Sequence, residues 1–179
     1  MLEVAHQGQQ IANPRTGQTM TFVELRPELL RIESTHPPAP EGEPLHTHPK
    51  QESTVEVLSG SMVFEVEGER REVATGDSLT IPAGVRHRFW IEGDKEARSI
   101  QLFEPALDIA SFFETLFALA ARDELDEKGM PGLLQLAVMV PEFGDEVRPA
   151  SPPWPVLKAL TTALGPVASM RGYKSRIEL

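Results

Sequence analysis

Residues 76–91 read GDSLTIPAGVRHRFWI. A turn at Gly76-Asp77 leads into a short apolar run at 78–81, a tight turn follows at Pro82-Ala83-Gly84, and His87 stands where the chain re-enters an extended run. Glycine reaches positive φ without a Cβ clash and proline fixes its own φ, so such a turn aims the histidine in one direction. The same grammar continues on both sides. Runs with a period of two at 19–25, 29–33, 55–58, 62–66, 78–81, 87–91 and 98–103 read as strands. Turn signals at 14–17, 37–44, 59–60, 67–68, 75–77, 82–84 and 92–94 separate them. Many short strands punctuated in this way read as a sandwich or barrel, and a jelly roll is one arrangement that hides its edges.

Beyond Pro105 the period lengthens. Ile109, Phe112, Phe113, Leu116, Phe117 and Ala120 form a helical stripe with Asp108 as N-cap. A second helix is expected from Pro131, a favoured first-turn residue, carrying Leu133, Leu134, Leu136, Ala137 and Val140 until Pro141 interrupts or kinks it. A third, short helix follows Trp154-Pro155, and Pro149, Pro152, Pro153 and Pro166 divide the rest into short pieces. The expected organisation is a β-barrel over 1–104 and a helical extension over 105–179, packed on the outside of the barrel or against a second subunit in a homodimer.

With 27 acidic and 17 basic side chains the net charge is −10, which favours neither a phosphate backbone nor an anionic membrane surface; no nucleic-acid or membrane partner is expected. The 179 residues contain no cysteine, so disulfides, thiolate metal sites and thiol nucleophiles are excluded, and a metal must use nitrogen or oxygen ligands. The first ten residues show no basic segment followed by an apolar run, and no apolar stretch is long enough to span a membrane. A soluble, cytoplasmic protein is the expectation.

Histidines occur at positions 6, 36, 46, 48 and 87. His46-Thr47-His48 puts two imidazoles on one face of an extended strand, where both can converge on one ion. Neutral imidazole suits Fe, Mn, Ni or Zn, and Gln51, Glu52 and Ser53 lie close enough in sequence to complete the sphere. His6 and His36 have no partner spacing and receive no role.

Taken together, the two segments resemble the motifs of the cupin superfamily. In the second motif Gly76, Pro82, Gly84 and His87 fit, while Ile91 stands where the family has Asn. In the first, His46, His48 and Gly60 fit and the leading glycine is displaced to Gly42. The resemblance implies a mostly β fold, the double-stranded β-helix or cupin jelly roll, over residues 19–104, and a divalent transition metal held by His46, His48, His87 and a carboxylate. Counted back from Gly60, the family's ligand Glu falls on Ser53, with the carboxylate one position earlier at Glu52. One step along a strand turns a side chain to the opposite face. Three outcomes stay open: a bulge returns Glu52 to the metal, as ligand or acid/base; Gln51, of Ser53's parity, ligates through its amide oxygen; or the three histidines are completed by water.

Inward parity assigns Met62, Phe64 and Val66 to the interior after Gly60, with Val63 and Glu65 outward, and Phe89 and Ile91 after His87. Met62, Phe64, Phe89, Ile91 and Gln101 are the expected pocket residues, with Phe103 and Trp90 near the mouth; Arg86 and Arg88 are expected outward. An apolar interior around imidazoles suits a small apolar or aromatic ligand. The expected function is a metal-binding oxidoreductase of dioxygenase type, and the alternative is a non-catalytic sensor or storage barrel with a degenerate metal site.

Overall fold

Alternation of buried and exposed side chains organises the strands around one interior. The structure, a computed structural model, describes residues 5–179. In chain order its strands are β1 (Gln10–Ala12), β2 (Thr19–Arg26), β3 (Leu29–His36), β4 (His46–Thr47), β5 (Glu52–Ser59), β6 (Ser61–Val66), β7 (Glu69–Ala74), β8 (Ser78–Ile81), β9 (His87–Trp90) and β10 (Ala97–Glu104). After them come α1 (Ile109–Ala121), α2 (Leu133–Phe143), β11 (Arg148–Pro149) and α3 (Trp154–Met170). The strands form two antiparallel sheets, in the orders β1-β2-β3-β10-β5-β8 and β11-β4-β9-β6-β7, and this is the jelly roll. Strands adjacent in sequence repeatedly fall into different sheets, so their inward faces meet across a common interior.

The β5–β6 connection shows why the turn needs glycine. Gly60 has φ +75°, and a Cβ there would sit 2.7 Å from the Glu96 carbonyl oxygen. At the opposite edge, β7 presents charged side chains along its length and buries only Val73, which blunts an open sheet edge.

Three apolar clusters surround the interior. Val55, Val57, Met62, Phe64, Ile81 and Ile91 pack between the sheets. Met20, Phe22, Leu30, Ile32 and Phe103 meet Ile109 and Phe117 of α1. Ala118, Leu119, Met139, Phe143 and Ile177 join α1, α2 and the C-terminal residues. Val63, expected outward, is buried opposite Trp90 in the β6–β9 ladder.

The helical extension departs from expectation in two ways. Besides the packing of α1 on the barrel strands, α1 and α2 line the cavity with the barrel residues, and β11 joins the smaller sheet by pairing with β4. Its prolines do not fragment it either. Pro141 lies within α2, and α3 runs for 17 residues through Pro166. Both prolines are exposed, on the solvent side of their helices, where water can hydrate the carbonyl that each leaves without an N–H partner. No helix among the described residues is long and apolar enough to cross a membrane.

Candidate metal centre

Strand pairing brings the two histidine segments together. β4 and β9 are neighbours in the smaller sheet with His46 opposite His87, and His48 follows β4 by one residue. A ring nitrogen of each of His46, His48 and His87 lies within 4.8 Å of those of the other two. The ring centroids are 4.5 to 5.2 Å apart.

Hydrogen bonds fix which nitrogen faces inward. His46 Nδ1 contacts the Pro44 carbonyl oxygen at 2.8 Å, His48 Nδ1 that of Glu146 at 2.8 Å, and His87 Nδ1 that of Val85 at 2.9 Å. A carbonyl can only accept, so each Nδ1 carries the proton and donates it. Each neutral ring therefore keeps its Nε2 lone pair free. Burial holds His46 well below the ordinary imidazole range, with neighbouring His48 and His87 adding to the effect. Burial brings His48 down to about 4 and lowers His87. Three neutral imidazoles, His48 and His87 buried and His46 nearly so, with their outer nitrogens tied to carbonyls, have the donor set and outer-shell arrangement that a borderline divalent cation requires. The residues present fit the metal.

Glu52, Gln51 and Ser53, the candidates for completing the sphere, take three different environments. Glu52 is exposed at the start of β5, opposite Glu104 in a ladder without a bulge at that point, so nothing turns its carboxylate inward. Ser53 is buried and lines the cavity. Gln51 is buried outside the cavity lining; its amide nitrogen donates to the carbonyls of Pro105 at 2.9 Å and Ala106 at 2.7 Å, while its Oε1 is buried without a partner. Ser53 takes the inward face of β5 and Glu52 the outward one, while Gln51 is buried away from the cavity.

The three rings belong to the wall of a cavity of about 550 Å³. Phe64, Phe89, Ile91 and Gln101 line it, with Phe103 and Trp90. Met62 does not: it is 1% exposed and packed into the core between the sheets. Arg86 is exposed, and Arg88 pairs with Glu65 at 2.6 Å away from the cavity lining. Phe112, Phe113, Leu116 and Phe117 of α1, together with Met139 and Phe143 of α2, complete the cavity as its roof.

Two ionisable groups in the cavity wall escaped sequence reasoning. Glu43 Oε1 lies 3.8 Å from His46 Nδ1. A third of the Glu43 side chain is accessible, but it belongs to the cavity lining, and burial pushes its carboxyl up to about 8, a backbone hydrogen bond from Phe89 offsetting part of the effect. His36 is buried between Gln18, whose Nε2 lies 3.1 Å from its Nδ1, and Ser99, whose hydroxyl lies 2.9 Å from its Nε2. Gln18 Nε2 can only donate, so His36 holds its proton on Nε2 and donates it to Ser99. The Pro-rich stretch 37–44 reads as a turn, and no residue spacing in it marks Glu43 as a cavity group.

Comparison with known proteins agrees with this architecture. Residues 33–103 match the family described as Cupin domain, and this part of the chain is a cupin domain. Polyketide synthase CurC of Streptomyces cyaneus is 37% identical over 60 residues, covering 34% of this chain and 39% of that protein. Protein SchB of Streptomyces halstedii is 40% identical over 55 residues, covering 31% and 40%. The chain thus matches about two-fifths of the length of these curated relatives. An RmlC-like cupin from Shewanella frigidimarina superposes with a TM-score of 0.50 at 21% identity, covering 61% of this chain and 96% of that one, a likeness of fold.

Proposed function

We propose, taking as premise that the barrel is a cupin domain, that the protein is a metal-dependent oxidoreductase of dioxygenase type acting on a small aromatic or apolar molecule. One observation carries the reading: three Nε2 lone pairs left free at the wall of a largely apolar cavity, each ring fixed by a carbonyl behind it. His46, His48 and His87 would hold a divalent transition metal, which when bound would supply O₂ activation or Lewis-acid polarisation of a carbonyl. The protein's own groups do the rest. Phe64, Phe89 and Phe103 with the α1 phenylalanines bind a flat apolar body by area and ring packing. The roof of α1 and α2 keeps bulk water from it. Glu43 Oε1, beside the imidazoles on the cavity wall, is placed to exchange a proton with a substrate hydroxyl, and Gln101 offers an amide from the opposing sheet to a second oxygen. A relative named a polyketide synthase supports a carbon skeleton bearing several oxygens as the substrate class.

Elemental analysis of the purified protein tests this first. Stoichiometric Fe, Mn, Ni or Zn, lost in His46→Ala and His87→Ala, is the expected result, followed by oxygen uptake with a phenol or diketone panel. A protein that takes up no metal even after reconstitution overturns the reading and leaves a non-catalytic small-molecule-binding barrel.

A further inference from the structure

Two of the three histidines are positioned by their own strands. His46 and His87 each donate to the carbonyl two residues earlier, Pro44 and Val85, so any fold that forms those turns orients those rings. His48 differs. Its partner, the Glu146 carbonyl, comes from the far side of α2, 98 residues along the chain. We propose that the 144–150 segment is a positioning element of the metal centre, setting the tautomer and orientation of His48 and with them the affinity for the ion. The proposal rests on the metal reading above and extends it to residues outside the cupin match at 33–103.

The segment is built to hold that carbonyl still. Arg148 and Pro149 pair with Thr47 and His46, and the Ala150 N–H donates to the Leu45 carbonyl at 2.9 Å, so the segment continues the sheet that carries two of the ligands. The N–H groups of Glu146 and Val147 both donate to the Phe143 carbonyl at the end of α2. Glu146 turns its side chain the other way: its Oε1 accepts the Asp108 N–H at 3.2 Å, at the entry to α1, and the residue is buried. Arg148 Nε donates to the Gly144 carbonyl at 2.6 Å while its guanidinium lies 4.1 Å from the centre of the Trp154 ring. Gly144 leaves room for that ring, because a Cβ there would come within 2.7 Å of it and 2.6 Å of the Val140 carbonyl oxygen. A carbonyl anchored from four sides removes the rotational freedom of the imidazole bonded to it. Outer-shell partners of this kind typically change metal affinity by about 10- to 100-fold when lost.

By linkage, a segment that favours the ion is itself stabilised by the ion to the same degree. Co²⁺ is the probe, titrated into the metal-free full-length protein and followed by its visible absorption and by competition with a chelator. Glu146→Ala, which releases the side-chain anchor to Asp108, is expected to weaken Co²⁺ binding about tenfold and alter the absorption bands; Glu146→Gln, which keeps an acceptor at Oε1, is expected to restore both. Nitrogen NMR of the His48 ring should show a single Nδ1–H form in the parent and Glu146→Gln proteins and a mixture in Glu146→Ala. Because Glu146→Ala could fold poorly, hydrogen exchange on the unmodified protein gives an independent measure: Co²⁺ should slow exchange at the Val147 and Ala150 amides. Equal Co²⁺ affinity and spectra in Glu146→Ala, or exchange at those amides indifferent to Co²⁺, overturns the role of the segment alone. Failure of the unmodified protein to bind Co²⁺ overturns the metal reading beneath it.

Discussion

Ser53 occupies a buried, cavity-facing position on β5, while the available carboxylate at Glu52 faces solvent. Phe103, paired with Ser53 across the ladder, has its ring 5.1 Å from that of His48, so position 53 lies near the imidazoles. Ser53→Glu is therefore expected to tighten divalent metal binding by about tenfold or more, roughly 1.4 kcal/mol, a small share of the contact attraction between a carboxylate and a cation. Chelator competition reads this directly, and an unchanged affinity would mean that position 53 does not reach the ion. His36 yields a second prediction. Burial lowers its pKa from 6.5 to about 4, so between those values the unfolded chain binds a proton that the folded one refuses. Stability is then fully present above about pH 6.5 and declines as pH falls towards 4, by up to roughly 3 kcal/mol from this group. Urea midpoints of the metal-free protein at pH 7 and pH 4.5 should differ less in His36→Asn than in the parent; equal differences would assign the acid sensitivity elsewhere. The clustering of His46, His48 and His87 was legible at this scale because strand parity and a proline-glycine turn constrain where they point. His36 and Glu43 were not, since their surroundings come from strands and loops remote in sequence.

The β elements were legible where side chains alternate. The run at 78–81 and the strand β8 coincide, and the runs at 19–25, 29–33 and 98–103 lie within β2, β3 and β10, extended by one to three residues. Between Gly60 and Gly76 the chain forms the β6–β7 hairpin, but β7 has no alternating apolar signal, with only Val73 buried among charged residues. Two-residue strands such as β4 and β11 carry no periodicity at all; the ladder between them exists because tertiary packing brings 148–149 beside 46–47. The helices divide in the same way. The stripe from Ile109 to Ala120 predicts α1 almost to its ends, whereas the prolines suggest an interrupted α2 and a short α3, and both helices run on through Pro141 and Pro166 at exposed positions. A helix stripe states that one face is buried without stating what it covers. Here the α1 face covers a cavity, so residues that read as ordinary packing also shape the space for a ligand.

On the scale of the whole molecule the barrel and its helical cover share the proposed centre. His46 and His87 stand on the smaller sheet, His48 reaches the turn after α2, and the Gly84 N–H donates to the His48 carbonyl at 2.8 Å, tying the second histidine turn to the first. An ion held by all three rings would then link elements that separate on unfolding, and its binding free energy would add to the stability of the complete chain. At a free concentration one hundred times the dissociation constant the gain is about 2.7 kcal/mol, which for a chain of this size corresponds to a rise in Tm of roughly 5–10 °C. The rise should reverse on adding a chelator and be absent in His87→Ala. Because His48 of the barrel is bonded to the turn after α2, far-ultraviolet circular dichroism, dominated by the helices, and tryptophan fluorescence, with Trp90 on the barrel and Trp154 on α3, should shift together. A metal-dependent shift in the barrel signal alone would separate the helical layer from the centre, and with it the cover from the chemistry it encloses.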